Sequence, residues 1–466
     1  MKKLLLIILN IALMGCICAF GESMVESQVF SCGDYDYILM EDGTAEIIDY
    51  RGIATELCIS DELDGRSVTS IGDSAFSRCK SLTSIAIPDS VTNIGNRAFR
   101  SCESLISIEI PDSVTQIGAN PFAYCSSLTN IRVKPSSPAL ATIDGVLFSK
   151  LDKRLVCYPI SLSELQRDYD IPEGIEIIGD YAFCVCKPLA SIRISDSVTT
   201  IGEYAFAGCE SLVSIEIPDS VISIGDSAFN SCESLTSIEI PDSVTHIGVN
   251  PFAYCTRLNN IRVKPSSPAL ATIDGVLFSK PDKRLVCYPM ALSESQQEYE
   301  IPAGIEIIGD SAFYCCKSLT SIGIPDSVIA IDESAFFQCA GLTSVEVPAR
   351  VATVGEGAFF FCTALTSVKI PDSVTTIANW AFCGCESLTC IKIHAGVTAI
   401  GDSAFSSCKS LTSLEIPDSV TSIGNSAFDG CDALTLTVEP SSYAEQYAME
   451  NGIAYAYPES TDWLNG

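Results

Sequence analysis

A frame of 23 residues recurs thirteen times along this chain, and that period constrains the fold more than any single residue does. The frame reads Ile-Gly-x-x-Ala-Phe-x-x-Cys-x-x-Leu-x-x-Ile-x-Ile-Pro-x-Ser-Val; its first copy starts at Ile71 and its last at Ile423. Successive copies start 23 residues apart, except for two steps of 61 residues, from 117 to 178 and from 247 to 308. A fixed period of this length indicates a solenoid, in which units that cannot bury an apolar face alone stack into one continuous core.

Each unit is predicted to contain a short strand, a turn and a short helical stretch. Residues 82–88 alternate apolar with small or polar side chains, which predicts a strand with Ile85 and Ile87 facing inward. A Pro-Asp-Ser turn follows. The residue after the frame's glycine is usually Asp or Asn, a good helix N-cap, which predicts a short helix carrying Ala98 and Phe99. Equivalent strands of neighbouring coils are expected to form a parallel sheet.

The Phe, Cys and Leu of the frame are present in all thirteen copies, so each is expected to meet the same surroundings in every coil. We call the first series, from Phe76 to Phe428, the phenylalanine ladder, and the second, from Cys79 to Cys431, the cysteine ladder. The rings are expected to stack in a dry interior. In an exported protein the cysteines could form disulfides. Their Cβ vectors would run parallel along the stack, however, which favours reduced thiols packed as small hydrophobic groups.

The N-terminus has the three parts of a secretory signal over residues 1–21: two lysines, an apolar run at 4–14 and a small-residue cleavage site. The run is too short to span a bilayer. Leu-Met-Gly-Cys before and at Cys16 also resembles a lipoprotein cleavage box. The sequence therefore predicts an extracytoplasmic protein, secreted or at the cell surface, and leaves open whether Cys16 carries a lipid anchor.

The rest of the chain divides into a capped solenoid. Residues 22–68 are predicted to form an N-terminal β-hairpin cap, residues 69–438 the solenoid, residues 439–457 a helical C-terminal cap and residues 458–466 a tail. Because both ends would be sealed, we expect a monomer.

Two of the thirteen units carry insertions, near residues 134–172 and 264–302. Both contain Asp-Gly-Val-Leu-Phe-Ser-Lys and Arg-Leu-Val-Cys-Tyr-Pro, 130 residues apart, so a block of several coils was duplicated whole. In each we expect a hairpin, formed in the first copy by 146–149 and 154–158, that stands off the solenoid.

Charge and motifs exclude several kinds of chemistry. A formal net charge of −31 disfavours nucleic acid as a partner. The chain has only two histidines, His246 and His394, and the pairs at 184–186 and 383–385 each join one ladder cysteine to another cysteine, so no metal or other cofactor is expected. Because no nucleophile elbow, zinc-protease motif or phosphate loop occurs, no catalytic residue is predicted.

The position that varies most between units is the outward-facing strand residue between the two inward apolar ones. The outward position two residues earlier is usually Ser, so a row of charges would flank a floor of small residues, with a basic patch at Lys369 and Lys392. Solenoids use their sheet face for binding. Charges placed there for solubility are the alternative. We call the following candidates the face row: Glu109, Arg132, Arg193, Glu216, Glu239, Arg262, Glu346, Lys369, Lys392 and Glu415.

The repeat frame, the leading hairpin, the two insertions and the Ser-Tyr-Ala-Glu-Gln-Tyr-Ala end piece together resemble the BspA-like leucine-rich-repeat proteins. The resemblance spans about residues 30 to 457. It implies an α/β fold, a right-handed leucine-rich-repeat solenoid with a parallel sheet on one face and short helical segments on the other. It also implies an exported protein, often held at the bacterial surface, some relatives of which bind host extracellular-matrix proteins or other bacteria.

The expected function is therefore noncatalytic binding or adhesion, with a protein or cell-surface ligand, such as a host matrix protein, recognised through the sheet face. Two alternatives remain open at this point. One is an extracytoplasmic enzyme whose pocket is formed by the insertions. The other is a structural spacer of the cell envelope.

Overall fold

A computed structural model describes residues 28–458 of the chain. The predicted signal at 1–21 with Cys16, and residues 459–466 of the predicted tail, lie outside the described residues. The described part is a leucine-rich-repeat solenoid of parallel strands with about 18 turns and few helices. Among residues 28–458, no helix has both the length and the apolar character that a membrane span needs.

The solenoid consists of three consecutive blocks, of which the first occupies residues 30–133. Its second strand pairs antiparallel with the first and the third, and the third pairs in parallel with the sixth, so the coils stack onto a three-stranded start. The strands of this block are β1 (Phe30–Cys32), β2 (Tyr35–Leu39), β3 (Ala45–Tyr50), β4 (Glu56–Cys58), β5 (Glu62–Leu63), β6 (Arg66–Ile71), β7 (Ser84–Ala86), β8 (Asn93–Ile94), β9 (Ser107–Ile110), β10 (Gln116–Ile117) and β11 (Asn130–Val133).

The second block occupies residues 140–263 and repeats this plan, with a three-stranded antiparallel start followed by parallel coils. Its elements are β12 (Leu140–Ile143), β13 (Val146–Ser149), β14 (Arg154–Cys157), α1 (Ile160–Leu165), β15 (Asp168–Asp170), β16 (Ile177–Ile178), β17 (Ser191–Arg193), β18 (Thr200–Ile201), β19 (Ser223–Ile224), β20 (Ser237–Ile240), β21 (His246–Ile247) and β22 (Asn260–Val263).

The third block runs from residue 270 to 456 and starts in the same way. Its elements are β23 (Leu270–Ile273), β24 (Val276–Ser279), β25 (Arg284–Cys287), α2 (Leu292–Ser295), β26 (Glu298–Glu300), β27 (Ile307–Ile308), β28 (Ser321–Gly323), β29 (Ala330–Ile331), β30 (Ser344–Glu346), β31 (Thr353–Val354), β32 (Ser367–Lys369), β33 (Thr376–Ile377), β34 (Cys390–Ile391), β35 (Ala399–Ile400), β36 (Ser413–Ile416), β37 (Ser422–Ile423), β38 (Thr435–Val438), α3 (Tyr443–Asn451) and β39 (Ala454–Ala456).

Two parallel ladders run along each block. The first, which we call the face ladder, takes one strand from each coil and includes β4-β7-β9-β11 in the first block, β20-β22 in the second and β30-β32-β34 in the third. The second joins the short Ile-ending strands, such as β6-β8-β10. Ile85 and Ile87 are buried as predicted, and residues on either side of Ile85 are exposed, so the alternation of the sequence decides which side chains enter the core.

The phenylalanine ladder is confirmed as the spine of the interior. Neighbouring rings lie nearly parallel with centroids 5.0 Å apart at Phe313–Phe336 and 5.6 Å apart at Phe405–Phe428. A tyrosine heads the stack in each block: Tyr50 over Phe76, Tyr158 over Phe183 and Tyr288 over Phe313.

The predicted short helices of the repeat units are wrong. The segment from Gly72 to Cys79 is a chain of turns, because two of its residues, Ser74 and Arg78, have left-handed φ values of 57° and 65°. Alternate amides consequently point in different directions. The amides of Ser74 and Arg78 donate to carbonyls of the next coil, whereas that of Ser77 bonds back within its own turn to the Ser74 carbonyl. An α-helix cannot accommodate left-handed residues at this spacing.

The predicted N-cap role of the Asp or Asn after the glycine is also corrected. Asp73 Oδ1 accepts from the backbone N–H of Asn96 at 2.6 Å, and Asn96 Oδ1 accepts from that of Ala119 at 2.7 Å. The same bond recurs from the Glu203 amide to Asp180 at 2.9 Å. These side chains therefore tie each coil to the next coil, 23 residues away, instead of starting a helix within their own coil.

The two insertions are part of the stack. The predicted hairpin of β13 and β14 forms, but it does not stand off the solenoid, because β14 pairs in parallel with β16. Its two faces enter different cores. Leu147 and Val156 pack in the core of the first block, while Phe148 and Leu155 pack in that of the second. We call this hairpin, and its copy β24-β25, the walls, since each separates two cores and is buried on both sides.

Side chains bond across the first wall. Asn120, in the last coil before it, donates from Nδ2 to the carbonyl of Tyr181, in the first repeat coil after it, at 2.7 Å. The Arg154 guanidinium donates to the carbonyl of Ile117 at 2.8 Å. The backbone ladder breaks here, so Arg154 satisfies the Ile117 carbonyl, whose equivalents in the other coils of the block accept from the glycine amide of the next coil.

The described C-terminus ends in a helix and a strand. Ser442 caps α3 by accepting from the Glu445 amide at 3.2 Å, and Gly452 ends the helix with a left-handed φ of 66°. Strand β39 then pairs in parallel with β38, and Tyr447 packs edge-on against Phe428, the last ring of the ladder.

Candidate binding face

Strand alternation determines what the face ladder presents to solvent. In β9, Ser107 and Glu109 are exposed, while Ile108 and Ile110 are buried. All ten residues of the face row are likewise exposed. Within each block, the stacking of coils at one register therefore aligns these exposed residues along the sheet.

Neighbouring positions in the row often carry opposite charges. The register pairs Glu109 with Arg132, Glu239 with Arg262 and Glu346 with Lys369. Of these three pairs, only the last closes an ion pair, from Lys369 Nζ to a Glu346 carboxylate oxygen. The predicted basic patch is therefore smaller than expected. Of its two lysines, Lys369 is paired, and Lys392 makes no ion pair with a described residue.

Sequence reasoning missed two members of the same row. Asp170 lies beside Arg193 in register, and Glu300 beside Gly323. Both come from the insertions, which were expected to leave the stack. The signal was present, since Tyr-Asp-Ile-Pro and Tyr-Glu-Ile-Pro at these sites match the Ile-x-Ile-Pro end of the repeat strand.

A second series of side chains stiffens one margin of the face. Thr343 Oγ1 donates to the carbonyl of Thr320 at 3.2 Å, and Thr366 Oγ1 donates to that of Thr343 at 2.9 Å. Thr389 continues the series at 3.2 Å. Each hydroxyl binds the coil before it, so the face is held at a fixed spacing along the third block.

Two recesses open beside the row. One, of about 330 Å³, lies at the first insertion and includes Glu109, Arg132 and Lys134. The other, of about 750 Å³, lies at the C-terminal end and includes Glu415, Asp418 and Tyr443. Charged and hydroxyl side chains line both recesses together with isoleucine and valine residues and, in the second recess, prolines.

The thiols of the cysteine ladder pack in the core and form hydrogen bonds there. Ten thiols of the ladder donate to a phenylalanine carbonyl 26 residues earlier, as Cys232 does to Phe206 at 3.3 Å. Burial raises the pKa of Cys232 well above its ordinary value. Such thiols stay protonated, which disfavours nucleophilic or metal chemistry.

The non-ladder cysteines of the two close pairs are buried, and each histidine contacts a neighbouring side chain. Burial raises the pKa of Cys184 and of Cys383 to about 11. His246 contacts Thr245 Oγ1 at 2.9 Å, and His394 contacts an Asp372 carboxylate oxygen at 2.6 Å, in different coils. Within residues 28–458, no group of three or more His, Cys, Asp or Glu side chains is arranged to hold a metal ion.

The fold defines the class of protein as a leucine-rich-repeat solenoid, and comparison identifies the family. The chain matches the model of the BspA type leucine rich repeat region over residues 62–169, 163–283 and 292–409. It therefore belongs to the BspA-type leucine-rich-repeat family.

Solved structures include several similar chains. A leucine rich cell surface protein from Faecalibacterium prausnitzii is 30% identical, with 92% of this chain and 97% of that chain covered and a TM-score of 0.45. A leucine-rich repeat protein from Bacteroides ovatus is 28% identical, with 92% and 100% covered and a TM-score of 0.40. The pneumococcal vaccine antigen PcpA is 16% identical, with 93% and 99% covered and a TM-score of 0.42. No protein in the curated set matches the chain.

Proposed function

We propose that this protein is an exported, noncatalytic binding or adhesion protein that recognises a protein or cell-surface partner, such as a host matrix protein, through its face ladder. Membership in a family of bacterial surface proteins supports this role. The proposal places the chain outside the cytoplasm and includes no cofactor.

One observation carries the proposal: the face row holds opposite charges at neighbouring positions without closing most of the ion pairs between them. Arg193 lies between Asp170 and Glu216 in register, yet it makes no ion pair with a described residue. Exposed ion pairs contribute little to stability, so these charges are not explained by the fold. Charged heads on a rigid surface are available to a partner and can provide specificity and a fast association rate.

The experiment reverses two unpaired cations of the row. The mature protein and the double variant Arg193→Glu with Lys392→Glu are tested for capture on immobilised fibronectin, laminin and collagen, and on partner cells. The control, Arg257→Glu with Lys317→Glu, makes the same charge change at exposed positions outside the face row.

The proposal predicts that the row variant loses at least tenfold in capture while the control keeps wild-type capture. Capture should also fall with salt, because the contacts are exposed charges. Equal loss in both variants would mean that net charge alone governs binding. The absence of capture on every matrix protein and cell type would instead favour an envelope spacer.

A further inference from the structure

We propose that the two insertions create a pair of equivalent sites for an acidic saccharide, a sugar unit that carries both hydroxyls and a carboxylate. The inference rests on the proposed function, because Arg132, Arg262, Glu109 and Glu239 belong to the face row. The inference specifies the class of ligand that binds where the insertions interrupt the face ladder.

The first site is the recess of about 330 Å³ beside β11. Strand β11 ends the face sheet of the first block, since it pairs with β9 on one side and with no strand on the other. The turn between β12 and β13, Asp144-Gly145, lines the opposite side of the recess. Gly145 has a φ of 83°, and a Cβ there would lie 4.0 Å from the Thr129 carbonyl oxygen, so the turn sits close against the start of β11.

The recess contains an arginine that is already oriented. The side-chain amide of Asn130 is assigned with its oxygen toward the guanidinium, the orientation that satisfies both groups, and in it the oxygen accepts from Nε and Nη2 of Arg132, both at 3.2 Å. This fixes one edge of the guanidinium and leaves N–H groups on the other edge. A carboxylate matches that remaining geometry with two parallel hydrogen bonds. Lys134, exposed and directly after the end of β11, adds a second cation.

The same recess also holds acceptors. Glu109 and Asp144 line it together with the hydroxyl of Thr142. A ligand that offered only carboxylates would be repelled by Glu109 and Asp144, whereas a ligand with hydroxyls can donate to them. The ligand must therefore combine a carboxylate with hydroxyls, as uronic-acid sugars do.

The composition of the recess does not match an aromatic protein anchor. No Trp, Tyr or Phe lines it, although aromatic anchors in apolar pockets dominate protein interfaces. The presence of two cations in one recess also differs from the composition of the whole chain, which has 58 acidic and 27 basic residues.

The second insertion repeats the arrangement. The Asn260 amide oxygen, in the same orientation, accepts from Nε and Nη2 of Arg262 at 3.1 and 3.2 Å. Lys264, Thr272 and Asp274 occupy the equivalent positions. The series Asn-Ile-Arg-Val-Lys occurs in these two units and in no other unit. One difference is that Lys264 also pairs with Asp219 at 3.0 Å.

The spacing of the two sites suits a polymer. Four coil steps of 23 residues separate β15 from β22, and β11 lies beyond the break in the ladder, so the two sites are at least roughly 20 Å apart at a strand spacing of about 4.8 Å. A chain of acidic sugars that spans both sites gains effective concentration for the second contact. The duplication of the block would then have converted one weak site into a bivalent one.

Calorimetric titration of the mature protein with trigalacturonic acid tests the proposal, with maltotriose as the neutral sugar and triglutamate as the carboxylate without sugar hydroxyls. We expect two sites per chain for trigalacturonic acid, one site in Arg132→Ala, and at least tenfold weaker binding at both sites in Arg132→Ala with Arg262→Ala, since a hydrogen bond to a charged group contributes about 1.5–3 kcal/mol. Arg132→Lys with Arg262→Lys should remain weakened, because lysine cannot form the bidentate contact.

The matched control is Arg167→Ala with Arg257→Ala, which removes two exposed arginines outside the two proposed sites. It should bind as wild type does, and melting temperatures should agree among all variants. Lack of binding, a single site in the wild type, equal binding of triglutamate or maltotriose, or equal loss in the control would each overturn the proposal. The proposed function fails separately, if Arg193→Glu with Lys392→Glu leaves protein and cell capture unchanged.

Discussion

At the scale of the residue, the phenylalanine ladder shows how one side chain determines a whole architecture. Phe206 is fully buried, and its ring stacks on Phe183 and Phe229 with centroids 5.2 Å away in both directions. A large aromatic side chain contributes through buried area and through the stacked geometry of its ring. Because each ring contacts one above and one below, its removal affects three coils.

Phe206→Ala is therefore expected to lower the free energy of unfolding by about 3–5 kcal/mol, through lost apolar burial and the cavity it leaves. Urea unfolding followed by circular dichroism measures the change. The control is Val213→Ala on the same repeat unit, where the side chain is 53% exposed and the expected change is within about 0.5 kcal/mol. A loss below about 1 kcal/mol for Phe206→Ala would show that the rings do not stack in a dry interior.

At the scale of the element, the turn face of the second block stacks carboxylates directly above one another. Burial, together with the neighbouring carboxylates of Asp180 and Asp226, raises the pKa of Glu203. Burial and the carboxylates of Glu356 and Asp310 do the same for Glu333 in the third block. Asp and Asn side chains can accept from backbone amides of the next coil only when the coils stack this closely, so the repulsion is a consequence of the repeat.

These raised pKa values predict the direction of a pH effect. The folded state binds protons at a higher pH than the unfolded chain, whose Glu pKa is about 4.3, so this contribution to stability rises as the pH falls below neutral. Glu203→Gln removes the charge and should stabilise the protein at pH 7 by a few tenths of a kcal/mol, with the gain vanishing near pH 4. Thermal melting at both pH values, with the exposed Glu233→Gln as control, measures it. A variant that is less stable than wild type at pH 7 would contradict this account.

The walls are a second element with a testable property. Val156 is fully buried in the core of the first block, although it lies on a strand whose other face packs in the second block. A carboxylate placed there would be buried between two cores without a partner.

Val156→Asp is expected to destabilise the protein by more than about 3 kcal/mol. Ile143→Asp on the neighbouring strand β12, where the side chain is 47% exposed, should change stability by less than about 1 kcal/mol. Denaturant unfolding of both variants compares the two sites. Equal, small effects would mean that the hairpin stands off the solenoid after all.

At the scale of the whole molecule, the sequence predicted the structural features that recur in every coil. The parallel ladder, the buried Ile85 and Ile87 and the stacked rings follow from a period of 23 residues, because equal residues in equal coils meet equal surroundings. The exposure of the face row follows from the same alternation.

The sequence did not predict what depends on contacts between coils or on backbone conformation. Asp73 looks like a helix N-cap because the same residue type serves both purposes, and its actual partner lies 23 residues away. Left-handed Ser74 and Arg78 are not glycines, although the equivalent positions of other units include glycines with a left-handed φ, such as Gly357 and Gly208. The wall had a signal that was not used: Val146-Leu147-Phe148 is apolar without alternation, which is typical of a strand buried on both faces.

The face row and the recesses were predictable only in part. The exposed positions could be identified from the strand frame, but whether Lys369 pairs with Glu346, or Arg132 turns to Asn130, depends on side-chain geometry. Asp170 and Glu300 were overlooked because the insertions were expected to leave the stack.

The cysteines offer the most direct test of the stacked architecture, because almost every coil carries one. We propose pulse alkylation of the native, mature protein with iodoacetamide, followed by peptide mass spectrometry. Cys58 and Cys390, which are exposed, should be labelled within the pulse, while the twelve buried members of the cysteine ladder, from Cys102 to Cys431, should react only after denaturation. Labelling of those ladder cysteines at the rate of Cys58, or their recovery as disulfides, would contradict a solenoid of coils stacked around a dry core.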